Sequence, residues 1–220
     1  MGKTAIVLGA SGLTGKLLLN RLLEDEEYTS VKIFTRRSLG LVHPKLIEFI
    51  GDLLSLQEFK KDFTGDEVFC CIGTTAKKTK DKAIYKKIDF GIPTAAAKLT
   101  RANRIKSFLV ISALGANYKS NIFYNKTKGE MEKVVLNQKI PNTYILRPSL
   151  IKGKRDEDRL GEKIGLIVIK LLGPFLLGKW KKYRVIEAET IANALHALAQ
   201  AKPDYKIIES DKIQEIGAHL

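Results

Sequence analysis

An apolar run of strand length, Ala5-Ile6-Val7-Leu8, breaks straight into glycines at positions 9, 12 and 15, behind which Leu13, Leu17, Leu18 and Leu22 recur at helical spacing. The pattern reads as strand, tight turn and helix, and it restricts the rest of the chain more than any other stretch. Such a turn leaves unpaired N–H groups at a helix N-terminus, where the helix dipole favours a phosphate. Gly9 permits the turn, Gly12 lets the backbone approach a pyrophosphate, and Gly15 lets the helix pack close to the strand. The same glycines also suit a purely local turn, so a dinucleotide site needs support from elsewhere in the chain. A triphosphatase-type loop ending at Gly15-Lys16 fails: Ala10 stands where that pattern needs glycine, and Leu17 where it needs a magnesium-binding hydroxyl.

Further apolar runs alternate with helical ones. Val31–Thr35, Leu46–Ile50, Glu67–Ile72, Ser107–Ile111, Asn142–Leu146 and a short Tyr205–Ile208 read as strands. Lys82–Arg101 carries a helical stripe with a bend expected at Gly91 and Pro93, and Phe123–Asn137 and Glu187–Ala201 read as helices. The alternation predicts a doubly wound parallel α/β sheet, which binds ligands beyond the carboxyl ends of its strands. No Pro/Gly/Ser linker divides the 220 residues, so one domain is expected, with 154–220 forming a small substrate-covering part. The apolar segment Ile164–Leu177 is interrupted by Lys170, Gly173 and Pro174 and is shorter than a membrane span, so it is predicted to cover the pocket or a dimer face.

At the strand ends stand the candidate ligand contacts. After the second strand come Arg36 and Arg37, where an acid would accept from a free 2′-hydroxyl and repel a 2′-phosphate. A guanidinium fork suits the phosphate instead, although a basic surface turn has the same look. Asp52 is placed to meet an adenine and Gly73 to let a cofactor pass, unless both are plain turn residues. Ser112 closes the fifth strand. Beyond it, Tyr124 and Lys128 lie one turn apart on a helix, in line with Met131 and Val135, and a lysine in an apolar stripe is out of place in a helix built only for packing. Tyr28 and Lys32 repeat the spacing but sit away from the strand ends.

Charge and composition bound the rest. The net charge of +14 raises nucleic acid as a partner, yet the lysines are spread, with runs only at Lys77–Lys82 and Lys179–Lys182. No nucleic-acid module accompanies them, and a specific nucleic-acid role is not expected. A solvated basic surface is the plainer reading; a protein partner or second copy of the chain, and peripheral contact with anionic lipid, stay open. Cys70 and Cys71 are strand neighbours pointing to opposite faces, so no disulfide is predicted. His43, His196 and His219 have no ligand spacing, and no metal is predicted. The chain begins strand-like without a signal sequence, which predicts a cytoplasmic protein.

Gly9-x-x-Gly12-x-x-Gly15, Ser112, Tyr124-x-x-x-Lys128 and Leu146-Arg147-Pro148 together resemble the short-chain dehydrogenase/reductase superfamily. Ser112–Asn117, the run Tyr124–Glu132 and the Pro174, Trp180, Val185 tail resemble its atypical branch, the HIV Tat-interacting oxidoreductase family. That resemblance implies a Rossmann-type fold, NADPH, a small-molecule carbonyl substrate and a site of Ser112, Tyr124 and Lys128. Tyr124 would move the proton, Ser112 would hydrogen-bond the carbonyl oxygen, and Lys128 would hold the ribose and bring the phenol down from about 10 towards 7. The cofactor is expected along Gly9, Ser11, Gly12, Leu13, Thr14 and Gly15, then Arg36, Arg37, Asp52 and Leu53, then Ile72, Gly73 and Thr74, with Lys128 and the backbone beyond Pro148 at the nicotinamide. The chain departs from the superfamily at Cys71-Ile72-Gly73-Thr74-Thr75, and Asp89 is the nearest candidate for a helix asparagine. Ser120 is an alternative to Ser112, and a non-catalytic NADP(H) sensor resembling the NmrA-like regulators is the alternative to an enzyme.

Overall fold

A computed structural model describes residues 2–153 and 178–218. Seven parallel strands lie side by side: β1 (Lys3–Leu8), β2 (Tyr28–Thr35), β3 (Leu46–Ile50), β4 (Glu67–Cys70), β5 (Ser107–Ile111), β6 (Asn142–Arg147) and β9 (Ile207–Glu209). Their order is β3-β2-β1-β4-β5-β6-β9, and β7 (Ile151–Lys152) and β8 (Ile186–Glu187) form a separate parallel pair. This is the doubly wound Rossmann arrangement, whose strand order reverses between β1 and β4.

Successive strand residues face opposite sides, and both sides are covered. Ala5 and Val7 join one core with Leu18 and Leu22 of α1 (Leu13–Glu24), Ile191 and Leu195 of α5 (Ala188–Ala201) and Ile213 of α6 (Ser210–Gly217). Ile6 and Leu8 join the other with Leu99 of α3 (Ile92–Ala102) and Met131 and Val135 of α4 (Phe123–Asn137). Each fully buried Leu or Ile contributes about 1.5–3 kcal/mol, so the two-sided cover explains why β1, β4 and β5 read as near-continuous apolar runs. Cys70 belongs to the second core and Cys71 packs against the first; both thiols are free, and burial pushes that of Cys70 up to about 12.

The bend expected near Gly91 is a π-helical turn, Lys87–Gly91, between α2 (Lys82–Lys86) and α3. Pro93 has no N–H to return to the carbonyl one α-turn behind it, and the wider turn absorbs that missing bond. The C-terminal part differs from its expected role as a pocket cover. α5 packs on α1, α6 packs on α5, and β9 pairs with β6, so residues 186–217 complete the sheet and its first layer. Their buried stripe, Ile191, Leu195 and Leu198, matches the core on α1, which is why they go there. The apolar segment 164–177 lies outside the described residues. Among the described residues, no helix is long and apolar enough to cross a membrane.

Candidate active site at the β1–β4 switch point

The glycine turn sits where the strand order reverses. Gly9 holds φ at +83°, and a Cβ there would stand 2.8 Å from the Cys71 carbonyl, so only glycine fits between β1 and the end of β4. The Gly12 amide donates back to Gly9 O at 2.9 Å, and no side chain caps α1. The first amides of the helix, Leu13 and Thr14, are therefore left for a ligand. A Cβ on Gly15 would lie 2.1 Å from Gly9 O, so the close approach is to the turn itself. Ser11 and Gly12 are exposed, Thr14 is buried, and Leu13 packs over Gly153. Gly15→Ala should cost about 1–3 kcal/mol as an overpacked contact and displace the turn. Thermal unfolding with NADPH titration checks this: both a lowered melting temperature and a large loss of affinity are expected.

Arg36 and Arg37 are both exposed just past β2, and neither guanidinium is ion-paired among the described residues. The nearby acid Glu48 is committed elsewhere, accepting from Ser38 Oγ at 2.5 Å and the Leu39 amide at 3.0 Å. Two of the expected cofactor contacts also have structural roles of their own. Leu53 is buried in the core, and Asp52 caps the short 3-10 helix Leu53–Phe59 by accepting the Leu54 amide at 2.9 Å. Core packing accounts for Leu53 and turn chemistry for Asp52. At Pro148 the ring is buried, the carbonyl takes the Leu114 amide at 2.9 Å, and the next amide, Ser149, donates to Ser210 Oγ at 3.1 Å.

Past β4, Gly73 lies over a buried ion pair. Lys128 Nζ stands 2.9 Å from Asp89 Oδ1, with side chains only 4% and 1% exposed. The other Asp89 oxygen accepts the Thr74 amide at 2.7 Å, so one carboxylate fixes both the loop after β4 and the lysine. Thr74 Oγ1 shares a hydrogen bond with Thr79 Oγ1 at 2.9 Å, and Ile72 packs against the α3–α4 core. The lysine expected from the Tyr124 spacing is thus in place, and its charge is already matched. Burial alone would lower the Lys128 ammonium, but the charges of Asp89 and Tyr124 outweigh it and the group is held above its ordinary value.

Tyr124 is 40% exposed and faces this cluster from one turn earlier on α4. The expected depression of its phenol does not appear. Burial pushes it above its ordinary value, the Lys128 charge pulls the other way, and Asp89 adds to the rise. Ser112 is also corrected. It stands at the end of β5 as expected, yet its hydroxyl donates to Glu132 Oε1 at 2.5 Å and has no proton left for a substrate oxygen. Arg147 holds the same carboxylate through two nitrogens, at 2.9 and 2.5 Å, and reaches Glu209 at 3.1 Å. Ser120 lies in the turn ahead of α4, its oxygen accepting the Ile122 amide at 3.1 Å. A cavity of about 320 Å³ opens beside Tyr124, bounded by Tyr85, Phe123 and the 74–82 segment.

Asp89 and Glu132 are the residues whose roles the sequence reading missed. Each carried a signal. Asp89 is the acid set in the apolar stripe of Ile84, Ile88 and Ile92, and Glu132 follows Tyr124 and Lys128 at a second step of four.

The model of a protein family described as NAD(P)H-binding matches residues 9–165. The chain belongs to this NAD(P)H-binding family. Among curated proteins it is similar to Protein HTATIP2 of Rattus norvegicus, 28% identical over 221 residues that cover 98% of this chain and 89% of that protein. It is also similar to Protein FMP52-1, mitochondrial, of Scheffersomyces stipitis, 31% identical over 176 residues that cover 77% and 76%. The crystal structure of UDP-glucose 4-epimerase from Thermotoga maritima shares the fold, with a TM-score of 0.69 at 17% identity over 93% of this chain and 75% of that one. These bear out an atypical branch of the short-chain dehydrogenase/reductase type resembling HTATIP2, and a nicotinamide cofactor. They overturn the cytoplasmic expectation: the FMP52 relatives from yeasts are named mitochondrial, so a start on a strand is no argument for the cytosol. The names HTATIP2 and FMP52 state no reaction.

Proposed function

We propose that the chain is an NADPH-dependent oxidoreductase that reduces a small-molecule carbonyl, with Tyr124 as proton donor and Lys128 as the residue that holds the cofactor ribose. The observation that carries this reading is Lys128 itself. A lysine with a side chain 4% exposed, anchored by its own carboxylate and one turn from a tyrosine, costs stability that a packing residue would not. A site that moves a proton and grips a hydroxylated ribose accounts for it. When bound, NADPH supplies the hydride. The α1 amides face the pyrophosphate position, Arg36 and Arg37 stand free at the ribose end, and the glycine turn leaves no Cβ in the way. Tyr124 remains protonated through neutral pH, which suits donation to a developing alkoxide.

The committed hydroxyl of Ser112 favours a second reading, a cofactor sensor without turnover. A panel of aldehydes, ketones and quinones followed by NADPH absorbance separates the two: turnover supports the enzyme, and tight NADPH binding with no turnover supports the sensor.

Cofactor preference follows from the free guanidinium groups. Charge-assisted hydrogen bonds contribute roughly 1.5–3 kcal/mol each, so Arg36→Ala or Arg37→Ala should weaken NADPH binding about tenfold or more. NADH binding should change little. Fluorescence titration of both cofactors checks this, and equal affinities in the unmutated chain would rule the preference out.

A further inference from the structure

In the wall of the cavity beside Tyr124 stands a residue whose buried polar group has no hydrogen-bond partner among the described residues. Tyr85 is 4% exposed, lines the cavity, and its hydroxyl has no hydrogen-bond partner among the described residues. Its ring meets Phe123 edge-on at 5.6 Å and Tyr124 at 6.4 Å, so three aromatic residues wall one small space. A buried donor left unsatisfied is costly, and a ligand acceptor removes that cost. Part of the rim is cationic. Lys80 and Lys82 line the cavity, and neither is ion-paired among the described residues; Lys82 Nζ lies 5.6 Å over the Phe123 ring. The acid between them, Asp81, is committed to capping α2 through the Ala83 and Ile84 amides. At about 320 Å³ the space matches a small ring compound and little more.

We propose that this cavity is the substrate site, that it takes a flat carbonyl compound bearing an anionic group, and that Tyr85 donates to the substrate oxygen in the place of Ser112. The proposal rests on the reductase reading for its carbonyl. The flat body lies against Phe123 and Tyr85, its reacting end at Tyr124, and its anionic end at Lys80 and Lys82.

The test is calorimetric titration of the full chain, with NADP⁺ present, using 4-carboxybenzaldehyde and its neutral methyl ester, methyl 4-formylbenzoate. The acid should bind about tenfold tighter or more, and the preference should vanish in Lys80→Ala/Lys82→Ala. Tyr85→Phe should weaken both ligands about tenfold while leaving the melting temperature unchanged or higher, because the hydroxyl has no bond to lose. Equal binding of acid and ester overturns the anionic class. Binding of neither overturns the site, and a Tyr85→Phe chain that melts lower yet binds normally overturns the role of that hydroxyl. Selective binding of the acid without NADPH-driven reduction would sink the reductase reading and leave the site standing.

Discussion

Tyr124→Phe is expected to lower carbonyl reduction by about 10²- to 10⁴-fold and to leave NADPH affinity unchanged. The substitution removes one oxygen and keeps the ring that stands edge-on to Tyr85. The helix, its Lys128–Asp89 pair and the glycine turn have no contact to lose. Tyr28 has the same spacing to a lysine but serves badly as a control. Its hydroxyl donates to Glu67 at 2.5 Å, and Glu67 is 1% exposed, so Tyr28→Phe removes a bond from a buried carboxylate. Tyr118→Phe, on an exposed ring, is the clean comparison. Because burial holds the Tyr124 phenol above its ordinary value, the proton is present throughout about pH 6 to 9, and reduction should not fall across that interval for want of it. Single-turnover rates with NADPH in excess measure both effects. A Tyr124→Phe rate equal to the unmutated one would remove the tyrosine from the chemistry.

Lys128→Ala should damage the fold as well as the site. It leaves Asp89, 1% exposed, with a buried charge and only the Thr74 amide to answer it, and breaking such a pair from one side costs about 3–5 kcal/mol. Asp89→Ala should do the same from the other side. In the double variant Lys128→Ala/Asp89→Asn no charge remains, the new carboxamide oxygen still accepts from the Thr74 amide, and most of the lost stability should return. NADPH affinity should not return with it if the ammonium holds the ribose. Urea unfolding of the three variants beside cofactor titration separates these roles. A double variant that recovers both stability and affinity would make Lys128 a packing residue only.

Element limits were the most legible feature of the sequence. Leu46–Ile50, Ser107–Ile111 and Phe123–Asn137 have the same bounds in the sequence pattern and in the fold. For Ser107–Ile111 the reason is plain, because a strand buried on both faces shows an unbroken apolar run bounded by polar turns. The glycine turn was legible for a related reason, since at Gly9 and Gly15 a side chain has no room. Less could be read where a residue's role depends on a distant partner. Asp89 and Lys128 are far apart in the chain, and they meet only because a π-helical turn sets the carboxylate inward. Ser112 was placed correctly and given the wrong partner, since Glu132 is drawn to it by Arg147 from another strand. The helix Ser210–Gly217 was missed because eight residues with one buried apolar anchor, Ile213, and a half-buried one, Ile216, show too little periodicity.

The packing of α1 against α5 has a consequence for the order in which the molecule can be made. The whole glycine turn and its helix are synthesised within the first 24 residues, yet Leu18 and Leu22 have their apolar cover in Ile191 and Leu195. Until the segment Ala188–Ala201 leaves the ribosome, the back of α1 is a greasy surface facing water. The glycine turn at the front of the same helix lacks that backing for as long. A chain released before about residue 188 therefore exposes an apolar surface for chaperones to hold.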